Sequence, residues 1–182
     1  MTEPAAQRIL VLGGARSGKS LVAENLLAGH ADVDYIATAG HDTADAEWAE
    51  RIARHRERRP SHWRTLETTD LASVLTSTGG GAAALIDSVT AWLSAVMDAA
   101  GAWDDSAQAR ERLAQQIDLV VGAWAATTRL VVAVSDEVGS GIVPDNCAAR
   151  LFRDALGLLN QRLAASADQV WLVTAGIASR LR

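Results

Sequence analysis

Residues 8–20 read RILVLGGARSGKS, an apolar run followed by a glycine-rich motif. Its first part, Arg8 to Leu12, is an apolar run typical of a buried strand. Residues 13–20 match the pattern G-x-x-x-x-G-K-S, and a helical pattern (LVAENLLAG) follows and stops at Gly29. A buried strand, a glycine-rich loop and a helix in this order indicate a loop that binds the phosphates of a nucleotide.

The residue types in this loop suit phosphate binding. Gly13 and Gly18 allow backbone conformations that a β-carbon would block, so backbone N–H groups can point at phosphate oxygens beside the positive end of the next helix. Lys19 is the only lysine in a chain with sixteen arginines, and we expect it to reach the β and γ phosphates while the Ser20 hydroxyl helps to hold Mg²⁺. A chance glycine turn is the disfavoured alternative. The predicted nucleotide contacts in the loop are Gly13, Gly14, Ala15, Arg16, Ser17, Gly18, Lys19 and Ser20.

The composition limits the class of protein. A length of 182 residues suits one nucleotide-binding domain over residues 1–182, in which we expect residues 1–7 to be disordered. With 49% apolar and 21% charged residues, the chain is unlike a disordered linker. It has no apolar run of membrane-spanning length and no secretory pattern at its start, and a single cysteine, Cys147, excludes an internal disulfide. We therefore predict a cytoplasmic protein.

The charge of the chain is unevenly distributed. Residues 51–64 (RIARHRERRPSHWR) contain six arginines and one glutamate, which is +5 and leaves −10 for the rest of a chain whose total is −5. Nucleic-acid-binding domains are usually basic overall, so we expect no nucleic-acid partner. One basic site on an acidic body suits a compact polyanion such as a nucleotide.

The remainder of the chain alternates between strand and helix patterns. Further strands are predicted at 33–37, 63–67, 82–86, 130–134 and 169–174, with the last of these ending the sheet. Helices are predicted at about 45–58, 70–77, 89–99, 106–127 and 144–165. Apolar strands that alternate with helices indicate a parallel sheet with helices on both faces. We expect an α/β fold, a P-loop NTPase (RecA-like) three-layer sandwich with a mostly parallel central sheet.

The last predicted helix has one polar side and one apolar side. We place Asn160 and Gln161 on the polar side, and Leu158, Leu159 and Leu163 in the core.

A magnesium ligand is expected at the carboxyl end of a strand near the loop, where open α/β sheets bind ligands. Two acids fit this position. Asp87 follows the apolar run AALI, and Glu137 follows LVVAV with Asp136 beside it. Each acid could instead cap a helix or lie in a loop. The pattern favours Asp87 and leaves Glu137 open, so the predicted metal ligands are Ser20, Asp87 and Glu137.

The arginine-rich segment contains a candidate nucleophile. Helical spacing places Arg51, His55 and Arg58 or Arg59 on one face. Neighbouring positive charge favours the neutral imidazole, which is nucleophilic, while the arginines could hold phosphate oxygens. This combination suits a phosphoramidate intermediate on His55. A solvated basic helix is the more common meaning of such a charge run, and His62 is a weaker alternative nucleophile.

Four sequence blocks occur in the order found in a known family: GGARSGKS (13–20), RIARHRERRPSHWRTLE (51–67), DEVGSGIVP (136–144) and ARLFRDALGLLNQRLAA (149–165). With them the chain resembles, over nearly its whole length, the bifunctional adenosylcobinamide kinases and adenosylcobinamide-phosphate guanylyltransferases of cobalamin biosynthesis. The resemblance implies two reactions. ATP or GTP phosphorylates adenosylcobinamide, and GTP then transfers GMP through a guanylyl-histidine to adenosylcobinamide phosphate, which gives adenosylcobinamide-GDP and pyrophosphate.

The resemblance also implies residue roles. The guanylylated histidine falls on His55, with Lys19 as the other catalytic residue. This chain has Arg54 where some relatives have a first of two histidines, and Asp136 where the family often has asparagine. Nucleotide contacts outside the loop fall on Thr38, Ala39, Gly40, Arg58, Arg59, Pro60, Ser61, Glu67 and Asp87. The implied substrates are GTP, ATP and the corrinoid, with Mg²⁺ as cofactor, and the implied assembly is a homotrimer. The alternative is a nucleotide-dependent regulatory switch with no covalent intermediate.

Overall fold

The structure is a computed structural model that describes residues 7–38, 60–77, 83–104 and 106–182. The predicted helix at 45–58 lies outside these ranges. The strands are β1 (Arg8–Gly13), β2 (Val33–Ala37), β3 (Arg64–Glu67), β4 (Ala83–Asp87), β5 (Leu130–Asp136), β6 (Gln169–Thr174) and β7 (Ile177–Arg180). The helices are α1 (Lys19–Leu26), α2 (Leu71–Thr76), α3 (Val89–Ala100), α4 (Ala107–Ala126) and α5 (Cys147–Ser166), with a short 3₁₀ turn at Ala102–Asp104.

The described strands form one sheet in the order β3-β2-β4-β5-β1-β6-β7. Strands β1 to β6 pair in parallel, and β7 pairs antiparallel to β6. The predicted α/β fold with a mostly parallel sheet is therefore confirmed. Because all six parallel strands run in one direction, their carboxyl ends meet at one edge, which also holds the phosphate loop.

The prediction that residues 169–174 end the sheet is wrong. The chain turns back through Ala175 and Gly176, whose φ angles are +52° and +81°, and adds β7. Positive φ at an alanine is not signalled by its residue type. The segment Ile177–Arg180 also has one large apolar residue, so it lacks the apolar pattern by which the other strands were predicted.

Two apolar clusters lie on the two faces of the sheet. Along β1, Leu10 packs into the cluster beneath α3, α4 and α5, whereas Ile9 and Val11 pack into the cluster beneath α1. Successive side chains of a strand point to opposite faces of the sheet, so β1 contributes to both clusters. Helices cover both faces, which is the predicted three-layer arrangement. None of the helices in the described ranges is long and apolar enough to cross a membrane.

Side-chain caps fix the beginnings of the helices. Asp70, Ser88 and Ser106 each accept a hydrogen bond from a backbone N–H three residues later, as their position before a helix predicts. Helix α5 begins at Cys147 rather than at Pro144, because the Asn146 side chain accepts the Ala149 N–H at 2.6 Å and acts as its cap.

The core positions of α5 differ from the prediction at two residues. Leu158 is 61% exposed, whereas Asn160 is buried together with Leu156, Leu159 and Leu163. The four buried residues follow the i, i+3, i+4, i+7 spacing of one helix face. Asn160 therefore occupies a core position, and its polar groups need partners there.

A buried ion pair holds the amino end of β2. Asp34 is 1% exposed, and its two carboxylate oxygens lie 2.6 Å from nitrogens of Arg64 and Arg129. Arg64 belongs to β3, and Arg129 immediately precedes β5, so the three charges join separate parts of the sheet. Each oxygen of a buried carboxylate thereby has a cationic partner, as burial of such a charge requires.

Candidate active site

The phosphate loop joins β1 to α1 and is closed by its own backbone. The Ser17 N–H donates to the Gly14 carbonyl at 3.2 Å, and Gly18 precedes the first residue of α1 with φ +95°. The Gly18 carbonyl then accepts the first helical hydrogen bond, from the Val22 N–H at 3.1 Å. The predicted strand, loop and helix are thus present, and the loop lies at the amino end of α1, where helices commonly bind anions.

Gly13 and Gly18 are required for different physical reasons. A β-carbon on Gly13 would lie 2.4 Å from the Ser17 Oγ and 2.7 Å from the Val173 carbonyl oxygen, so the constraint is space. At Gly18 the constraint is the positive φ, with the Gly176 Cα 3.4 Å from the β-carbon position. A β-carbon on Gly14 would meet nothing within 4 Å.

Two segments that are distant in sequence donate hydrogen bonds to carbonyl groups of the loop. The Gly176 N–H, in the turn between β6 and β7, donates to the Ser17 carbonyl at 2.9 Å. The Glu137 N–H, just after β5, donates to the Gly13 carbonyl at 3.1 Å. The shape of the loop therefore depends on strands far away in the sequence.

Lys19 lies at the bottom of the loop and is 6% exposed. Its Nζ lies 2.5 Å from Asp136 Oδ1 and donates to the Gly14 carbonyl at 3.2 Å. Asp136 ends β5 and stands opposite Gly13 in the parallel register. The sequence placed Asp136 near the site, but it did not predict this contact with Lys19.

Asp87 ends β4, where it stands opposite Ala37 of β2 and Val134 of β5. The Tyr35 hydroxyl donates to its Oδ2 at 2.5 Å and so fixes the orientation of the carboxylate. The predicted contact residue Thr38 lies beside it, because its Oγ1 donates to the Ser88 carbonyl at 2.6 Å and accepts the Ser88 N–H at 3.1 Å.

Glu137 is directed into its own loop. Its Oε1 accepts the Gly139 N–H at 2.7 Å and the Ser140 hydroxyl at 3.3 Å. This is the loop role that the sequence left open as an alternative to metal binding. Within the described ranges, no three His, Cys, Asp or Glu side chains come together as a metal cage.

The oxygen donors near the loop still suit Mg²⁺. This ion is usually held by one or two carboxylates, substrate phosphates and several waters, so it does not need an all-protein cage. Ser20 lies in the first turn of α1, and Asp87 is a half-buried carboxylate at the same edge of the sheet. These two residues fit the ion better than Glu137, whose Oε1 already has two donors.

The remaining predicted contacts lie along the β3 side of the sheet or outside the described ranges. Glu67 ends β3 opposite Ala37, which places it two strands from Asp87 along the same edge. The Pro60 carbonyl accepts the Trp63 N–H at 3.1 Å in a turn that exposes Ser61 and His62. The predictions outside the described ranges are Ala39, Gly40, Arg51, Arg54, His55, Arg58 and Arg59.

Sequence reasoning missed three residues that shape the site. Tyr35 orients Asp87, the Thr90 Oγ1 accepts the Asp136 N–H at 2.8 Å, and the Asn160 Nδ2 donates to the Asp136 carbonyl at 3.1 Å. Asn160 could have been found, because it is a polar residue at a core position of its helix. Tyr35 and Thr90 carry no comparable signal, since each contacts a strand end that is distant in sequence.

Comparison with known proteins agrees with this geometry. A family described as cobinamide kinase / cobinamide phosphate guanyltransferase matches residues 9–181. The chain is 42% identical to the bifunctional adenosylcobalamin biosynthesis protein CobU of Salmonella typhimurium in an alignment 189 residues long, gaps included. The alignment covers 96% of this chain and 99% of that protein. It is 39% identical to the protein of the same name from Escherichia coli over 182 residues, which again cover 96% and 99% of the two chains.

A solved structure shows the same fold at much lower identity. An ATPase from the type III secretion system of pathogenic bacteria superposes with a TM-score of 0.58 at 12% identity, over 97% of this chain and 57% of that one. This likeness concerns the fold alone.

Proposed function

The chain belongs to the cobinamide kinase / cobinamide phosphate guanyltransferase family, and from that premise we propose that it catalyses both reactions of cobalamin biosynthesis. It phosphorylates adenosylcobinamide with ATP or GTP, and it then transfers GMP from GTP to adenosylcobinamide phosphate. The products are adenosylcobinamide-GDP and pyrophosphate. The observation that carries the proposal is a formed phosphate loop with a buried lysine, in a chain that matches a relative over 96% of its length.

In the kinase step, the corrinoid hydroxyl oxygen attacks the γ phosphorus, and the bond between this phosphorus and the β–γ bridging oxygen breaks. The nucleoside diphosphate leaves, and the hydroxyl proton passes to solvent. Such a transfer needs positioning and neutralisation of charge more than covalent chemistry by the protein. The N–H groups of the loop and the Lys19 ammonium supply positive charge at the β and γ phosphates. Bound Mg²⁺, held by Ser20 and Asp87, would neutralise the developing charge on the phosphate oxygens.

In the guanylyl step, the His55 imidazole attacks the α phosphorus and pyrophosphate leaves. A phosphate oxygen of adenosylcobinamide phosphate then attacks the same phosphorus, the P–N bond breaks, and the free imidazole is restored. Two observations support His55: the family resemblance and the arginines close to it in sequence. Positive charge near a histidine favours the neutral ring, and arginines can bind phosphate oxygens.

Guanylylation can be tested with GTP labelled at the α phosphate. The protein is incubated with this GTP and Mg²⁺, denatured and digested, and the labelled peptide is mapped by mass spectrometry. We expect one adduct on His55 that is lost in acid and stable in alkali. His55→Ala abolishes the adduct, whereas the control His62→Ala retains it. Label that persists in His55→Ala contradicts the assignment, and GTP hydrolysis without any label favours the regulatory switch.

We also propose a cytoplasmic homotrimer that acts on the corrinoid and on nucleotides, with residues 1–182 as one domain and without nucleic acid as partner. The resemblance supports the trimer, and the acidic total charge of −5 argues against a nucleic-acid partner. Size-exclusion chromatography with light scattering should give three times the mass of the chain. A monomer at micromolar concentration would contradict the trimer without affecting the proposed reactions.

A further inference from the structure

The lysine of the phosphate loop has a carboxylate partner. Lys19 Nζ is 2.5 Å from Asp136 Oδ1, and the side chains are 7% and 23% exposed. A buried ammonium group needs an opposite charge, because removal of water from an isolated cation is costly. In the described structure, Asp136 supplies this charge.

Asp136 is held in place by groups other than Lys19. The Thr90 hydroxyl accepts its N–H at 2.8 Å, and the Asn160 side-chain amide donates to its carbonyl at 3.1 Å. Asn160 is buried and also accepts from the Ser135 hydroxyl at 2.7 Å. The end of β5 is therefore fixed to α3 and α5, so the carboxylate has little freedom to follow a lysine that moves away.

We propose that Asp136 is a positioning residue that competes with the nucleotide for Lys19. In the nucleotide-free loop its carboxylate holds Nζ, and nucleotide binding exchanges that carboxylate for phosphate oxygens. The inference rests on the proposed binding of nucleotide phosphates at this loop. It assigns to Asp136 a role that neither the loop motif nor the proposed reactions require.

The exchange has an electrostatic consequence. When Lys19 turns to the phosphates, Asp136 is left without its cation beside a polyanion, and like charges at short distance repel. A divalent cation reduces this repulsion. Asp136 therefore weakens nucleotide binding most when no divalent cation is present, and so it links nucleotide affinity to Mg²⁺.

Replacement of Asp136 by asparagine separates this role from a purely structural one. Asp136→Asn keeps the size of the side chain but removes its charge, so the nucleotide no longer has to displace an ion pair. The same change leaves the Lys19 charge without its counter-charge in the ligand-free protein. We expect nucleotide affinity to rise while ligand-free stability falls, whereas loss of a purely structural contact would lower both.

The test measures binding of GDP by isothermal titration calorimetry, once with EDTA and once with Mg²⁺. GDP has a β phosphate for Lys19 and lacks the pyrophosphate leaving group. In EDTA we expect Asp136→Asn to bind GDP about tenfold more tightly than the wild type, since coupling of about 1.5 kcal/mol or more is typical of close charge pairs. With Mg²⁺ the difference should shrink to about threefold or less, because the cation screens the same charge. The ligand-free variant should unfold at a lower temperature.

Two further variants make the outcome decisive. Asp118→Asn removes an exposed carboxylate on α4 and should change neither the affinity nor the effect of Mg²⁺. Asp136→Ser removes the same charge with a smaller side chain and should act in the same direction if the asparagine variant folds poorly. Equal or weaker GDP binding by both Asp136 variants in EDTA overturns the inference. A wild type that binds no GDP in either condition overturns nucleotide binding at the loop and, with it, the proposed function.

Discussion

The space around Gly13 gives a prediction that can be worked out from the structure. Gly13→Ala adds one β-carbon, which would lie 2.4 Å from the Ser17 Oγ and 2.7 Å from the Val173 carbonyl oxygen. The second contact is the more severe, because the Val173 carbonyl belongs to a strand that pairs in register with Gly13. Neither strand can move without disturbing hydrogen bonds of the central sheet, so the clash cannot be relieved by a side-chain rotation alone.

The expected loss of stability follows from this crowding. Overpacking of a well-packed interior typically costs about 1–3 kcal/mol. For a chain of about this length, each 1 kcal/mol lowers the melting temperature by about 2–4 °C. We therefore expect Gly13→Ala to melt about 2–12 °C below the wild type without any ligand.

The neighbouring glycine provides a matched control. Gly14→Ala makes the same chemical change one residue later, where a β-carbon would meet nothing within 4 Å and the residue is exposed. Changes at open surface positions usually alter stability by about 0.5 kcal/mol or less, which corresponds to at most about 2 °C. Ligand-free melting is followed by circular dichroism for both variants. If the melting temperatures of Gly13→Ala and Gly14→Ala differ by less than 1 °C, the steric explanation is wrong.

Three further predictions concern polar contacts that hold the sheet and α5 together. Asp34→Asn removes the negative charge between two arginines at a position that is 1% exposed, so it should lower the free energy of unfolding by about 3–5 kcal/mol. Urea denaturation measures this, and an unchanged denaturation midpoint would contradict the prediction. Asn160→Leu removes a hydrogen-bond partner from the buried Ser135 hydroxyl and from the half-buried Asp136 carbonyl, and it should lower the free energy of unfolding by about 1–3 kcal/mol. The control Leu158→Ala, at a residue that is 61% exposed, should change it by about 0.5 kcal/mol or less. A hydrogen bond from the Arg8 side chain lowers the pKa of Asp168 below its ordinary value of 3.8, so Asp168 contributes stability that is present above that pH and is lost as the pH falls below it. Asp168→Asn should therefore lower the urea midpoint at pH 7 and have a smaller effect at pH 3, and an equal effect at both would count against the ion pair.

The sequence predicted best the features that depend on residues close together along the chain. Residues 33–37 and 169–174 were predicted as strands with the bounds that the structure has, because a short run rich in apolar and β-branched residues is a local signal. The helix predicted at 70–77 is another local case, because Asp70 directly precedes it and its side chain accepts the Ser73 N–H three residues later. The strand β7 was missed because its position depends on a positive φ at Ala175 and on pairing with β6.

The site also contains residues that a local pattern predicted and residues that only contacts between distant parts of the chain reveal. The loop motif predicted Lys19 as a phosphate ligand. Asp87 was predicted as an acid at the same edge of the sheet because it follows an apolar strand pattern, and the carboxyl ends of parallel strands share one edge. The motif gave no sign that Tyr35 orients Asp87 or that Asp136 holds Lys19. The sequence favoured Asp87 and left Glu137 open, and the hydrogen bonds of Glu137 to Gly139 and Ser140 give it a role within its own loop.

The phosphate loop and the alternation of strands and helices could be read from the amino-acid sequence, because each is encoded in residues that are close together along the chain. The resemblance to a family could also be read from it, because it rests on four blocks that are each continuous in sequence. The tertiary structure decided which distant residues meet at the loop. Thr90, Asp136, Asn160 and Gly176 lie far from Lys19 in sequence, and the parallel sheet brings them to one edge. Contacts of this kind depend on strand order and register, which no local pattern specifies.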